Sequence, residues 1–180
     1  MRKIPSRAAA LESLGYSGLK LPELNHDPFM PLAIAAEHTR RVELITSVAV
    51  AFSRSPMTMA QQAHDLNAFS DGRFVLGLGS QVKAHIENRF GTEFSPPASR
   101  MREYIQALKA IFDCWQNGER LNFEGKFYRH TLMTPMFNPG PNPHGIPPVL
   151  LGALGPRMTE VAGEVADGLI VHPFNSMPFL

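Results

Sequence analysis

Apolar positions along the chain change their spacing in a repeating order. Ser6 to Leu14 carries Ala8 to Leu11 ahead of Gly15, which predicts a short helix with Ser6 able to cap it. Gly18-Leu19-Lys20-Leu21 then reads as a short strand. A second helix is expected from Pro28 or Pro31 to about Arg40, with Ile34, Ala35 and His38 at helical spacing. Val42 to Ala51 is a continuous apolar run, predicted as one buried strand. Met57 to Phe69 returns to helical spacing, Ser70-Asp71-Gly72 makes a turn, and Phe74 to Leu78 is the next strand.

After Gly79 a short helical stretch is expected over Val82 to Arg89, followed by a long amphipathic helix from Ser99 to Trp115. Residues 116 to 147 break the rhythm. Leu121 to Tyr128 alternates around Glu124-Gly125 like a hairpin, and six prolines between Pro135 and Pro148 stiffen the connection that follows. Val149 to Leu151 resumes as a strand, Met158 to Ala166 as a helix, and Gly168 to Val171 as a strand. Alternation of strands too apolar to have a wet face with helices predicts a parallel sheet covered by helices, an α/β fold. The reading is of one domain over 1–180 with an insertion at about 116–147.

Composition narrows the function classes. Of the 180 residues 44% are hydrophobic and 18% charged, enough apolar material for one core. A formal charge of +1 with scattered Lys and Arg offers no basic stripe, so nucleic acid is not an expected partner. Cys114 is the only cysteine, which leaves no disulfide framework and fits a reducing, cytoplasmic setting. No apolar run approaches the roughly 18 residues of a membrane span. His, Asp and Glu are not set at metal-ligand spacing, and no nucleophile elbow is present.

The segment Ser70-Asp71-Gly72-Arg73-Phe74-Val75-Leu76-Gly77-Leu78-Gly79 resembles the signature of the luciferase-like oxidoreductases. Leu44 to Val48 with Arg54-Ser55-Pro56 is similar to the third strand and loop of that family's deazaflavin-dependent branch, and Pro148 to Val171 matches its strand, Gly-Pro turn, helix and Ala-Asp-Gly strand. The Phe123 to Tyr128 hairpin is also usual there. The resemblance implies a (β/α)₈ TIM barrel, here partial and expected to lack the first strand and the last two βα units, since such barrels take roughly 250 residues. The cofactor implied is coenzyme F-420, with FMN as the alternative. Thr46-Ser47-Val48 and His26-Asp27-Pro28-Phe29 are more similar to the F-420 branch. The implied activity is hydride transfer to or from a small organic substrate. An FMN-dependent monooxygenase and a truncated, non-catalytic fragment stand as alternatives, and a homodimer is compatible with the family.

The family assigns the matching positions their roles. Ser47 and Val48 stand where relatives have a non-proline cis peptide beneath the central ring, and Ser80 and Gln81 where donors reach its edge. Gly152, Gly155 and Arg157 lie in the loop that relatives use for the cofactor phosphate. Glu23 and His26 follow the first strand, where the family keeps an acid or histidine near the reactive face, so both are candidate acid-base groups. Val82 stands where the sugar-phosphate-oxidising branch has an acid, which argues against that branch's mechanism. Arg73, in a tight turn before a strand, is read as structural, and Arg54 as nearer the site. Arg102 and His64 are assigned no role.

Overall fold

Strand β1 (Gly18–Leu21) pairs in parallel with β2 (Glu43–Thr46), β2 with β4 (Phe74–Gly79), β4 with β7 (Val149–Gly152), and β7 with β8 (Gly168–Ile170) in a computed structural model that describes residues 1–172. Every connection carries helix: α1 (Ile4–Ser13) precedes β1, and α2 (Phe29–Glu37), α3 (Pro56–Phe69), α4 (Lys83–Asn88), α5 (Pro97–Asn117) and α6 (Pro156–Val165) link the strands. The α/β class and the parallel sheet are as expected. The last eight positions of the single-domain reading lie outside the described residues.

The run read as one strand from Val42 to Ala51 is two. β2 ends at Thr46, β3 (Ala49–Val50) resumes beside the end of β4, and a 3₁₀ turn follows at Ala51–Ser53. Ile45 faces Val75 and Ala49 faces Leu78, so the chain spends four steps against three on its neighbour and the extra residue bulges out. The peptide bond between Ser47 and Val48 is cis. Thr46 bridges the break: its hydroxyl donates to the Gly77 carbonyl at 2.8 Å and accepts the Gly77 N–H at 2.9 Å, replacing the ladder bonds that the bulge removes.

Helix boundaries shift where side chains compete for backbone groups. α1 starts before Ser6, because Pro5 suits the first turn, and the Ser6 hydroxyl bonds back to the Lys3 carbonyl instead of capping. α2 stops at Glu37, short of Arg40. The Arg73 guanidinium takes the carbonyls of Ala36, Thr39 and Val42, while the Glu12 carboxylate takes the N–H groups of Arg40, Arg41 and Val42. Arg73 thus holds the end of the sheet away from the chemistry, as its turn position implied.

α5 buries Met101, Tyr104, Ile105, Leu108, Ile111, Phe112 and Trp115 on one face, spaced by three and four residues, against α3 and α6. The insertion leans on this helix. Its hairpin, β5 (Phe123–Glu124) and β6 (Arg129–His130), turns over residues 125–128 and not at Glu124-Gly125. The Glu103 carboxylate on α5 accepts the N–H groups of Lys126, Phe127 and Tyr128, which fixes the turn further along. Asn142 then ties the proline-rich return to α3 and α5 through the His64 carbonyl and the Gln116 side chain.

His64 lies under that tie, edge-on to Trp115 at 5.3 Å between centroids. Burial pushes its pKa below the ordinary 6.5 against the upward pull of Asp65, and burial lowers His130 in the same direction. A histidine held neutral in the fold is protonated first in the unfolded chain. Stability is therefore complete above about pH 6.5 and falls as pH drops below it toward the depressed folded values. Urea titrations at a series of pH values should show this decline flattened by His64→Phe; an identical decline in His64→Phe would contradict the assignment.

Candidate functional site at the strand ends

An open cleft of about 1190 Å³ lies across the C-terminal ends of the parallel strands. This is the end at which βα loops converge and backbone groups become available to a ligand. Its lining joins the turn after β1 (Glu23), the bulge (Ser47, Val48), the loop after β4 (Ser80, Gln81) and the loop from β7 into α6 (Gly152, Gly155, Arg157). Eight of the nine residues singled out from the sequence therefore border one space.

Glycines shape its floor. A Cβ on Gly79 would overlap the Val48 side chain, and one on Gly152 would lie 2.9 Å from Val48 Cγ1. Val48 thus packs against two strands that carry no side chain at that point. Gly77, two residues back, leaves room for the Thr46 carbonyl in the same way.

Polar groups face this floor from both flanks. The Ser47 and Ser80 hydroxyls make no hydrogen bond among the described residues, so both are free to meet a ligand. Gln81 has φ +59°, a left-handed conformation uncommon outside glycine, and its Oε1 accepts the Val82 N–H at 3.0 Å. At the far end Gly155 (φ +78°) lets the chain swing into α6, with Pro156 in its first turn. The exposed Arg157 makes no ion pair among the described residues and stands beside the unpaired N–H groups of that helix.

Glu23 lines the cleft but is 7% exposed and fully engaged on one oxygen. Its Oε2 accepts from Val50 N–H at 2.8 Å and from Arg54 Nη1 at 2.7 Å. Arg54 Nη2 in turn reaches Asp27 Oδ2 at 2.7 Å. Burial works against the Arg54 cation, yet the hydrogen bonds and fields of Glu23 and then Asp27 outweigh it and leave its pKa raised. His26 does not border this space. It is exposed and lines a separate hollow of about 210 Å³, because Asp27 is drawn inward to Arg54 and the residue before it turns out.

Two groups at the site were not foreseen. Arg102 of α5 borders the cleft and is paired with Glu164 of α6, and Asp27 completes the Arg54 pair while its Oδ1 accepts from Phe29 N–H at 2.9 Å. Asp27 carried one legible signal, its place just before a Pro-Phe helix start. For Arg102 a single sequence offers none, since its facing helix is 62 residues away.

Known proteins resemble this chain in sequence and in fold. An uncharacterised protein of Mycobacterium tuberculosis is 52% identical over 173 residues, covering 96% of this chain and 51% of that protein. Another protein of that organism, provisionally named a coenzyme F420-dependent oxidoreductase, is 32% identical over 169 residues, covering 89% of this chain and 48% of its own length. The chain spans about half the length of the curated relatives it matches. Among solved structures, the coenzyme F420-dependent tetrahydromethanopterin reductase of Methanopyrus kandleri superposes with a TM-score of 0.73 at 23% identity, over 93% of this chain and 52% of that one. This likeness supports the fold, an α/β architecture of the luciferase-like TIM-barrel kind. The sequence pattern of the luciferase-like monooxygenases matches residues 1–177, and the chain belongs to that family of oxidoreductases.

Proposed function

We propose that this chain forms the cofactor-binding half of an oxidoreductase that moves hydride between coenzyme F-420 and a small organic substrate at the strand ends. The observation that carries the reading is the floor made by Val48 packed against Gly79 and Gly152, where neither glycine has room for a side chain. A planar tricyclic ring can lie on such a floor, whereas a side chain at either glycine would lift it. The cleft volume of about 1190 Å³ also exceeds the usual range for small-ligand pockets, as a long cofactor plus a substrate would require. The 32% identical relative named for F420 favours the deazaflavin over FMN.

When bound, the deazaflavin supplies a carbon hydride donor or acceptor where a flavin has nitrogen. The chain's own part is to seat and orient it. Ser47 and Ser80 hydroxyls and the Gln81 amide would meet the polar edge of the ring. Gly152, Gly155 and the N-terminus of α6 would receive the phosphate, with Arg157 adding charge. The substrate would enter over the opposite face, between the loops after β1 and β4.

Fluorescence titration with F-420 and, separately, with FMN tests the reading. Preferential F-420 binding, weakened about fivefold by Arg157→Ala and more so at low salt, is expected. Preference for FMN together with substrate-dependent oxygen consumption would replace hydride transfer by monooxygenation.

A further inference from the structure

Glu23 occupies the position at which an acid-base group is expected, yet its surroundings describe a different task. Its backbone N–H donates to the Val48 carbonyl at 3.2 Å, and its Oε2 accepts from the Val50 N–H. One residue therefore grips the bulge on both sides of Ala49, which is fully buried. Arg54 grips the same segment from below: Nη1 donates to Glu23 Oε2, to the Val50 carbonyl at 3.3 Å and to Ser53 Oγ at 3.1 Å. Asp27 anchors the other side of the guanidinium, and its second oxygen caps α2 through Phe29 and Met30. A carboxylate tied to a permanent cation and a backbone amide is held in one place and serves as a strut.

We infer that Glu23 is a positioning residue, which with Arg54 and Asp27 clamps residues 48–50 and sets the height of the cleft floor. Arg54 itself does not border the cleft, so it can influence a ligand only through the segment it holds. The link from clamp to ligand rests on the cofactor reading above, whereas the clamp can be judged without it.

The test compares Glu23→Gln, Arg54→Met and the double variant, with Arg54→Lys as the conservative partner. Without cofactor, amide hydrogen exchange at Val50 should accelerate about tenfold or more in either single variant, since each removes a charge-assisted bond. The double variant should match the singles and not add to them, because all three break one unit. In the presence of F-420, Arg54→Met should weaken binding to the same extent as Glu23→Gln, with partial recovery in Arg54→Lys. Unchanged Val50 exchange in cooperatively folded Arg54→Met would overturn the clamp. Accelerated exchange with unchanged F-420 affinity would overturn its role in setting the floor. A Glu23→Gln variant that keeps Val50 protection and affinity but loses only the pH dependence of turnover would restore the acid-base assignment. Failure of the unaltered chain to bind F-420 would count against the cofactor reading, and the Val50 exchange rates would still decide the clamp.

Discussion

Gly77→Ala is expected to destabilise the chain by about 3 kcal/mol, the upper part of the usual range for forcing atoms into a filled interior. A Cβ there would overlap the Thr46 carbonyl and the tip of the Ile170 side chain; Ile170 can turn aside, but the strand before the bulge would have to move. Backbone cannot swing aside as a side-chain tip can. The same shift would break the two bonds that Thr46 Oγ1 makes with Gly77, leaving buried backbone groups unpaired. Urea unfolding should therefore show a lower midpoint with little change in slope. A midpoint equal to that of the unaltered chain would mean that the bulge is not seated where Gly77 allows it.

The second large effect is on binding and not on stability. Gly79→Ala places a methyl where the Val48 side chain lies, and Val48, which borders the cleft, is expected to be displaced toward it. Cofactor affinity should fall about tenfold or more, a change of about 1.4 kcal/mol or above. Shortening the obstructing side chain offers a rescue. In the Gly79→Ala/Val48→Ala double variant the overlap with Val48 Cγ2 is gone, and most of the lost affinity should return. Equal affinities for the unaltered and Gly79→Ala chains, measured by fluorescence titration, would sink the claim that these glycines shape a ligand floor.

The order of elements was readable because it rests on local patterns. Pro56 with Ser55, whose Oγ accepts the Thr58 N–H, marks the start of α3, and the positive φ of Asp71 and Gly72 marks the turn into β4. The residues of α5 alternate between faces at helical spacing over its whole length. What escaped were features made by partners distant in sequence. The division of 42–51 into two strands depends on Thr46 meeting Gly77, 31 residues on. The hairpin turn is set by Glu103, more than 20 residues before it, and the end of α2 by Arg73. Periodicity reports which face a residue shows, not which polar group waits opposite.

The site divides along the same line. Backbone-defined positions, Ser80, Gly152 and Gly155, follow once strand ends are located, since the parallel sheet brings every strand's C-terminal end to one side, whereas Ser47 and Val48, inside a run read as one strand, were reached through the family resemblance. Side-chain roles do not follow so directly. Glu23 and His26 are three positions apart and were read alike, yet one points under the floor to Arg54 and the other lines a separate hollow. That difference arises from Arg54, 31 residues beyond Glu23, which recruits Glu23 and Asp27 together.

The most direct measurement is a map of backbone amide chemical shifts as F-420 is added to isotopically labelled chain. Saturable changes concentrated at Ser47, Val48, Gly79, Ser80, Gln81 and the Gly152–Arg157 loop, with Gly15 and Gly118 on the far side unmoved, are the expected result. Changes confined to the hollow beside His26, or spread without saturation over the surface, would contradict the account that the strand-end cleft is a deazaflavin site.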